Sequence, residues 1–186
     1  MIRGAKIEEE RSVASSILIR LSGLAAVLGG VVYTTVGLLI PFLQPALIIL
    51  LAPGAMAVIV ALHVLQRERY GLLGTLASLT AFIGVASLLV SSLGFLVDLA
   101  DPLSERIYVP GLLVAAVGML VLGAVTIVVR DLPRWCGASL MIGAIVIAGE
   151  LVVPMVWLLE GVAWALVGYA IFRAAGRPDR RPARVR

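Results

Sequence analysis

Six apolar runs of about 20 residues, almost free of charge, constrain this chain more than any other feature. At 1.5 Å per residue each run matches the ~30 Å hydrocarbon thickness of a bilayer. Inside hydrocarbon every backbone N–H and C=O must be satisfied within its own segment, so runs of this kind are helices. With 61% hydrophobic residues and a mean hydropathy of +1.10, the chain is too apolar for a soluble domain of its size. The expected fold class is therefore all-α: a polytopic six-transmembrane-helix bundle. A net charge of +4 would point to nucleic acid in a soluble protein. Here topology explains it, and no nucleic-acid partner is expected.

The runs are separated by breakers. Residues 1–20 mix Arg3, Lys6, Glu8, Glu9, Glu10, Arg11 and Arg20, and read as a cytoplasmic amino-terminal segment. The acids at 8–10 and the full-length apolar run behind them argue for an uncleaved first span rather than a signal peptide. Span 1 covers about 21–40, and Pro41 and Pro45 break the helix after it. Span 2 covers 46–66, where Pro53-Gly54 frees the Ile49 carbonyl and predicts a kink. Span 3 covers 71–97, followed by the longest connection, in which Asp101-Pro102 reads as the cap of a short surface helix. Span 4 covers 110–129, and spans 5 and 6 cover 135–152 and 154–173, joined by a very short turn. Residues 174–186 form a basic tail whose Arg and Pro content predicts disorder.

Six spans place both termini on one side. Fourteen of the fifteen Lys and Arg residues then share that side, and Arg106 stands alone on the other. By the positive-inside rule both termini are cytoplasmic. The expected location is a bacterial cytoplasmic membrane, with anionic lipid at the tail arginines Arg177, Arg180, Arg181, Arg184 and Arg186. Small residues four apart, at Ala26–Gly30, Ser139–Gly143 and Gly161–Ala165, predict close helix packing and leave a homo-oligomer or membrane-protein partner open.

The chemistry-bearing residues lie in the last hairpin. A carboxylate in hydrocarbon costs at least about 2–3 kcal/mol, so Glu150 and Glu160 are the candidate site. Trp157, Glu160 and Trp164 share one helix face, which sets the Glu160 carboxyl between two indoles. A short turn makes spans 5 and 6 antiparallel neighbours, so the two acids are able to meet. Tyr33, Thr34, Thr35, Ser91, Ser92 and the Pro53 kink fall in the same outer half, and Arg106 is the candidate counter-ion. Two readings stand. In one, Glu150 sits among headgroups and Glu160 is a hydrogen-bonded packing acid; in the other they line an outward-facing, proton-binding pocket.

Other chemistries find little support. The single Cys136 excludes an internal disulfide. His63 has no second histidine or cysteine cluster to complete a metal site or a bis-axial haem, and it reads as a packing or interfacial residue. Lys6, the sole lysine, is outside the spans and excludes a retinal Schiff base. Asp98 and Asp101, one turn apart, read as a solvated pair. No phosphate loop or nucleophile–base arrangement is legible, so no enzyme activity, cofactor or metal is expected.

Leu132-Pro133-Arg134-Trp135-x-Gly137, together with Gly161-x-x-Trp164-x-x-x-Gly168-Tyr169-x-x-x-Arg173, resembles small multi-spanning membrane proteins of the domain-of-unknown-function type from actinobacteria and similar high-GC bacteria. That resemblance covers the last third of the chain and implies no activity. In architecture alone the chain is similar to the substrate-binding components of energy-coupling-factor vitamin transporters, with Ala26-x-x-x-Gly30 as the echo of their small-residue contact. Two functions are expected from these observations. The first is a structural or accessory membrane component acting through helix faces or its tail. The alternative is a small-molecule or proton-coupled carrier built around Glu150 and Glu160.

Overall fold

A computed structural model describes residues 2–39, 44–97, 102–149 and 157–175, with side chains described for 16–39, 46–97, 104, 106–149 and 159–175. Every element among them is an α-helix: α1 (Ile2–Leu39), α2 (Gln44–Leu96), α3 (Pro102–Val129), α4 (Arg134–Gly149) and α5 (Trp157–Ala175). Three of them are long and apolar enough to cross a membrane, over Ser16–Leu39, Ala46–Leu96 and Arg106–Val129, while α4 is a shorter apolar helix. The outer surface is aliphatic, with Leu28, Leu72, Leu79, Val117 and Val128 all exposed. Apolar contact of this extent on the outside is what lipid requires and water penalises.

Helix α2 is two arms. A straight helix over Ala46–Leu96 would be about 75 Å long at 1.5 Å per residue, far beyond a ~30 Å core. The backbone instead breaks at Gly71, with φ 57° and ψ −152°, a conformation that only glycine adopts without strain. Residues from both arms then meet in reversed order. Ile59, Val60 and His63 line one groove with Thr75, Ser78, Leu79 and Phe82, and Ala52 and Ala55 line one cavity with Val85 and Leu88. The Tyr70 hydroxyl lies 3.1 Å from Ser78 Oγ, and its ring covers the place where a side chain on Gly74 would stand. Gly71 is thus the tip of a helical hairpin.

Pro53 lies inside α2, and the chain reverses at Gly71, next to the Arg67–Arg69 segment expected to close span 2. One proline expectation meets a different outcome. Pro110 lies inside α3 rather than at its start, and the helix begins at Pro102 without a separate surface helix. Its C-terminal end carries Arg130 at φ 61°, a left-handed residue that donates its N–H to the Thr126 carbonyl at 3.3 Å and stops the helix. Ahead of the first span, α1 already runs as helix from Ile2, through the charged amino-terminal segment.

Packing follows the small residues. Helix α1 lies chiefly against α5, and α2 chiefly against α3. At the α1–α5 crossing a Cβ on Gly23 would stand 2.7 Å from the Gly168 carbonyl oxygen, and one on Gly168 would stand 2.5 Å from that of Gly23. No side chain fits there, so the backbones are in contact. Helices α3 and α4 meet the same way through Gly123 and Gly137. Two polar ties hold the helix ends, and ring contacts add to them. Arg69 pairs with Asp131, joining the α2 hairpin to the α3–α4 connection, and Arg20 donates from Nε and Nη2 to the Ala175 carbonyl at 3.3 Å. Trp135 and Tyr169 stack with centroids 6.4 Å apart, and Arg173 lies over the Tyr169 ring at 5.9 Å.

Candidate functional site

Helix α5 begins at Trp157, so Glu160 stands in its first turn, where unpaired N–H groups and the helix dipole favour a carboxyl. The side chain is buried, 9% exposed. Trp164, one turn on, donates its indole N–H to Oε1 at 3.2 Å. Tyr33 of α1, itself 1% exposed, donates its hydroxyl to Oε2 at 3.4 Å. An indole N–H has no acceptor capacity, so Oε1 is fixed as an acceptor whatever the protonation of the acid. The carboxyl therefore bridges α1 and α5 beside their glycine contacts, where Gly30 and Gly161 press backbone on backbone.

The acid also faces inward. With Trp164 it borders a cavity of about 20 Å³ walled by Ile48, Leu51, Ala52, Ala55, Val85, Leu88, Tyr108, Leu112 and Ile147. A water needs roughly 10–15 Å³ by this measure, so the space suits about one water and no organic solute. All of its walls except the carboxyl and the Tyr108 and Trp164 rings are aliphatic. Both arms of α2, with α3, α4 and α5, contribute to it, which puts Glu160 at the centre of the bundle.

The structure thus brings together Glu160, Trp164 and Tyr33, and adds Tyr108, which sequence reasoning did not single out. An aromatic hydroxyl two residues from Arg106 in an otherwise aliphatic run was the available signal. Glu150 lies outside the described residues, and so does the side chain of Trp157; whether the two acids meet therefore falls outside the described part. Arg106 is exposed on α3 and makes no ion pair or hydrogen bond with any described residue, Glu160 included. Pro53 neighbours the cavity wall through Ala52, and Gly54 lets α2 approach α1, where its Cβ would meet the Ala25 oxygen at 3.4 Å. Thr34 and Thr35 line a separate groove between α1 and α5. Ser91 donates to the Ser104 carbonyl at 2.6 Å, tying the end of α2 to the start of α3. Among the described residues no group of three or more His, Cys, Asp or Glu side chains is arranged to hold a metal.

No protein-family model, no curated protein and no solved structure matches the chain.

Proposed function

We propose that this is a six-span integral membrane protein, with both termini cytoplasmic, that serves as an accessory component and binds partners through its helix faces and basic tail. In this reading Glu160 is an interhelical clamp and not a substrate ligand. The observation that carries it is the size of the cavity: about 20 Å³ beside the one described intramembrane acid, against the ~300 Å³ or more of ordinary small-molecule sites. The two hydrogen bonds described for the carboxyl, from Tyr33 and Trp164, tie α1 to α5. Partners are a membrane protein or a second copy, with anionic lipid at the tail. Bacterial inner-membrane residence and kinship with the small multi-spanning proteins rest on the charge bias and the last-third motifs alone.

Native mass spectrometry of the detergent-purified protein tests the role. The expected spectrum shows a protein–protein complex or homo-oligomer with no organic solute other than lipid retained. A monomer carrying one tightly bound water-soluble molecule would sink the accessory reading. A proton-coupled carrier is the second reading. It is favoured by one observation: Glu160 and Tyr108 border the same water-sized space, through which a proton could pass.

The two arms of α2 and helix α3 are each long enough to cross a bilayer. Arg106 and Arg130 stand at opposite ends of α3, about 36 Å apart at 1.5 Å per residue. Arg106 and Glu68 are both exposed. With Cys136→Ser as background, Arg106→Cys in intact cells is expected to react with an impermeant maleimide, and Glu68→Cys to be protected. The reverse pattern overturns the orientation, and equal labelling overturns the crossing between them.

A further inference from the structure

We propose that the groove between the two arms of α2 is a binding site for one glycerophospholipid, with a chain along Val60 and Leu79, an ester carbonyl on His63 and the phosphate on Arg67. The groove encloses about 270 Å³ and is lined by Ile59, Val60, His63, Thr75, Ser78, Leu79 and Phe82. Its walls face outward, with Val60 49% and Leu79 54% exposed. Its deep part is aliphatic and aromatic, and its polar groups gather toward the hairpin tip.

A hydrogen-bond chain there runs from Ser78 through Tyr70 to His63. Tyr70 Oη lies 2.7 Å from His63 Nδ1 and 3.1 Å from Ser78 Oγ. If Ser78 donates to Tyr70 and Tyr70 donates to Nδ1, the imidazole carries its proton on Nε2. That N–H has no described protein acceptor, and a half-buried donor at a membrane surface needs one. Arg67 is one turn nearer the tip on the same face, since positions 60, 63 and 67 follow the i, i+3, i+7 stripe. It is exposed and makes no ion pair with any described residue, whereas Arg69 is held by Asp131. Glu68 points about 100° away round the helix, leaving the positive charge at the groove uncancelled.

The spacing matches one ligand class. A cation about 5–6 Å beyond an imidazole N–H, at the mouth of an apolar groove, fits a phosphate, then an ester carbonyl, then a hydrocarbon chain. A second copy of this chain would bring its own hairpin arginines against Arg67. This inference rests on the chain being embedded in a bilayer, and not on the role of Glu160 or on the tail.

The test is native mass spectrometry of the full chain in detergent, with three probes: a diacyl phosphatidylglycerol, the matching diacylglycerol, and glycerol phosphate. The phosphatidylglycerol should form a one-to-one adduct, the diacylglycerol should bind about fivefold more weakly, and glycerol phosphate should not be retained. Arg67→Gln should weaken only the phosphatidylglycerol adduct, by about the same factor, with an unchanged melting temperature because the side chain is exposed. Val60→Trp, which fills the groove, should remove both lipid adducts. Equal phosphatidylglycerol binding by the parent and Arg67→Gln proteins would overturn the site. So would retention of glycerol phosphate as tight as that of the lipid, which would mark a bare phosphate site.

Discussion

Gly168→Leu is expected to lower the melting temperature of the purified protein by roughly 10 °C. A Cβ at Gly168 would stand 2.5 Å from the Gly23 carbonyl oxygen, 2.8 Å from the Ala26 Cβ and 2.9 Å from the Val27 nitrogen. Two of these three are backbone atoms of α1, which cannot rotate out of the way. The helix itself must move, and overpacking of this kind costs about 3 kcal/mol. The same displacement would pull Tyr33 away from Glu160, since both sit on the α1–α5 contact. Gly71→Ala is the control. Nothing lies within 4 Å of a Cβ there, so the cost is backbone strain alone, about 1–3 kcal/mol for a φ of 57° and ψ of −152° that are essentially confined to glycine. Thermal unfolding in one detergent ranks the two. A Gly168→Leu protein that melts at the parent temperature would mean that α1 and α5 are not in backbone contact.

The second large effect is at Glu160, where the outcome depends on what replaces it. Glu160→Leu is expected to destabilise by about 1–3 kcal/mol, because the buried Trp164 N–H loses its one described acceptor. Exchange of partners within the membrane pulls the figure toward the low end. Glu160→Gln should cost well under about 1 kcal/mol: its carbonyl accepts from Trp164, and its NH₂ faces a Tyr33 oxygen able to accept in turn. A Glu160→Gln protein as unstable as Glu160→Leu would show that the acid's charge, and not its hydrogen bonding, holds the helices. The same site separates the two functions. With Trp135→Phe and Trp157→Phe as background, Trp164 reports on its neighbour alone. Coincident fluorescence titrations of the parent and Glu160→Gln proteins over about pH 5 to 9 fit a clamp, whereas a transition seen only with Glu160 fits proton exchange with solution.

Length, charge and breakers made much of this architecture legible. Uncharged runs near 20 residues demand helices because hydrocarbon offers the backbone no partner, and the described turns, at Gly71 and at 130–133, fall where Pro, Gly and Arg cluster. An acid in such a run announces a special environment by its cost alone, which is why Glu160 stood out. The indole one turn away on the same face followed from helical geometry.

Which neighbours the acid meets was a different matter. In a water-soluble bundle the contrast between polar and apolar faces shows which side of each helix turns inward. Here lipid and core are equally apolar, so exposed Leu28 and buried Leu62 look alike in sequence. Tyr33, 127 positions before Glu160, becomes its partner only because Gly23 and Gly30 let α1 lie against Gly168 and Gly161. Tyr108 and the α2 walls reach the cavity only because the chain reverses at Gly71. Sequence alone determined that this chain forms apolar helices with a costly acid near the end. Backbone contact between glycines far apart in the chain decided where that acid points and how little space lies beside it.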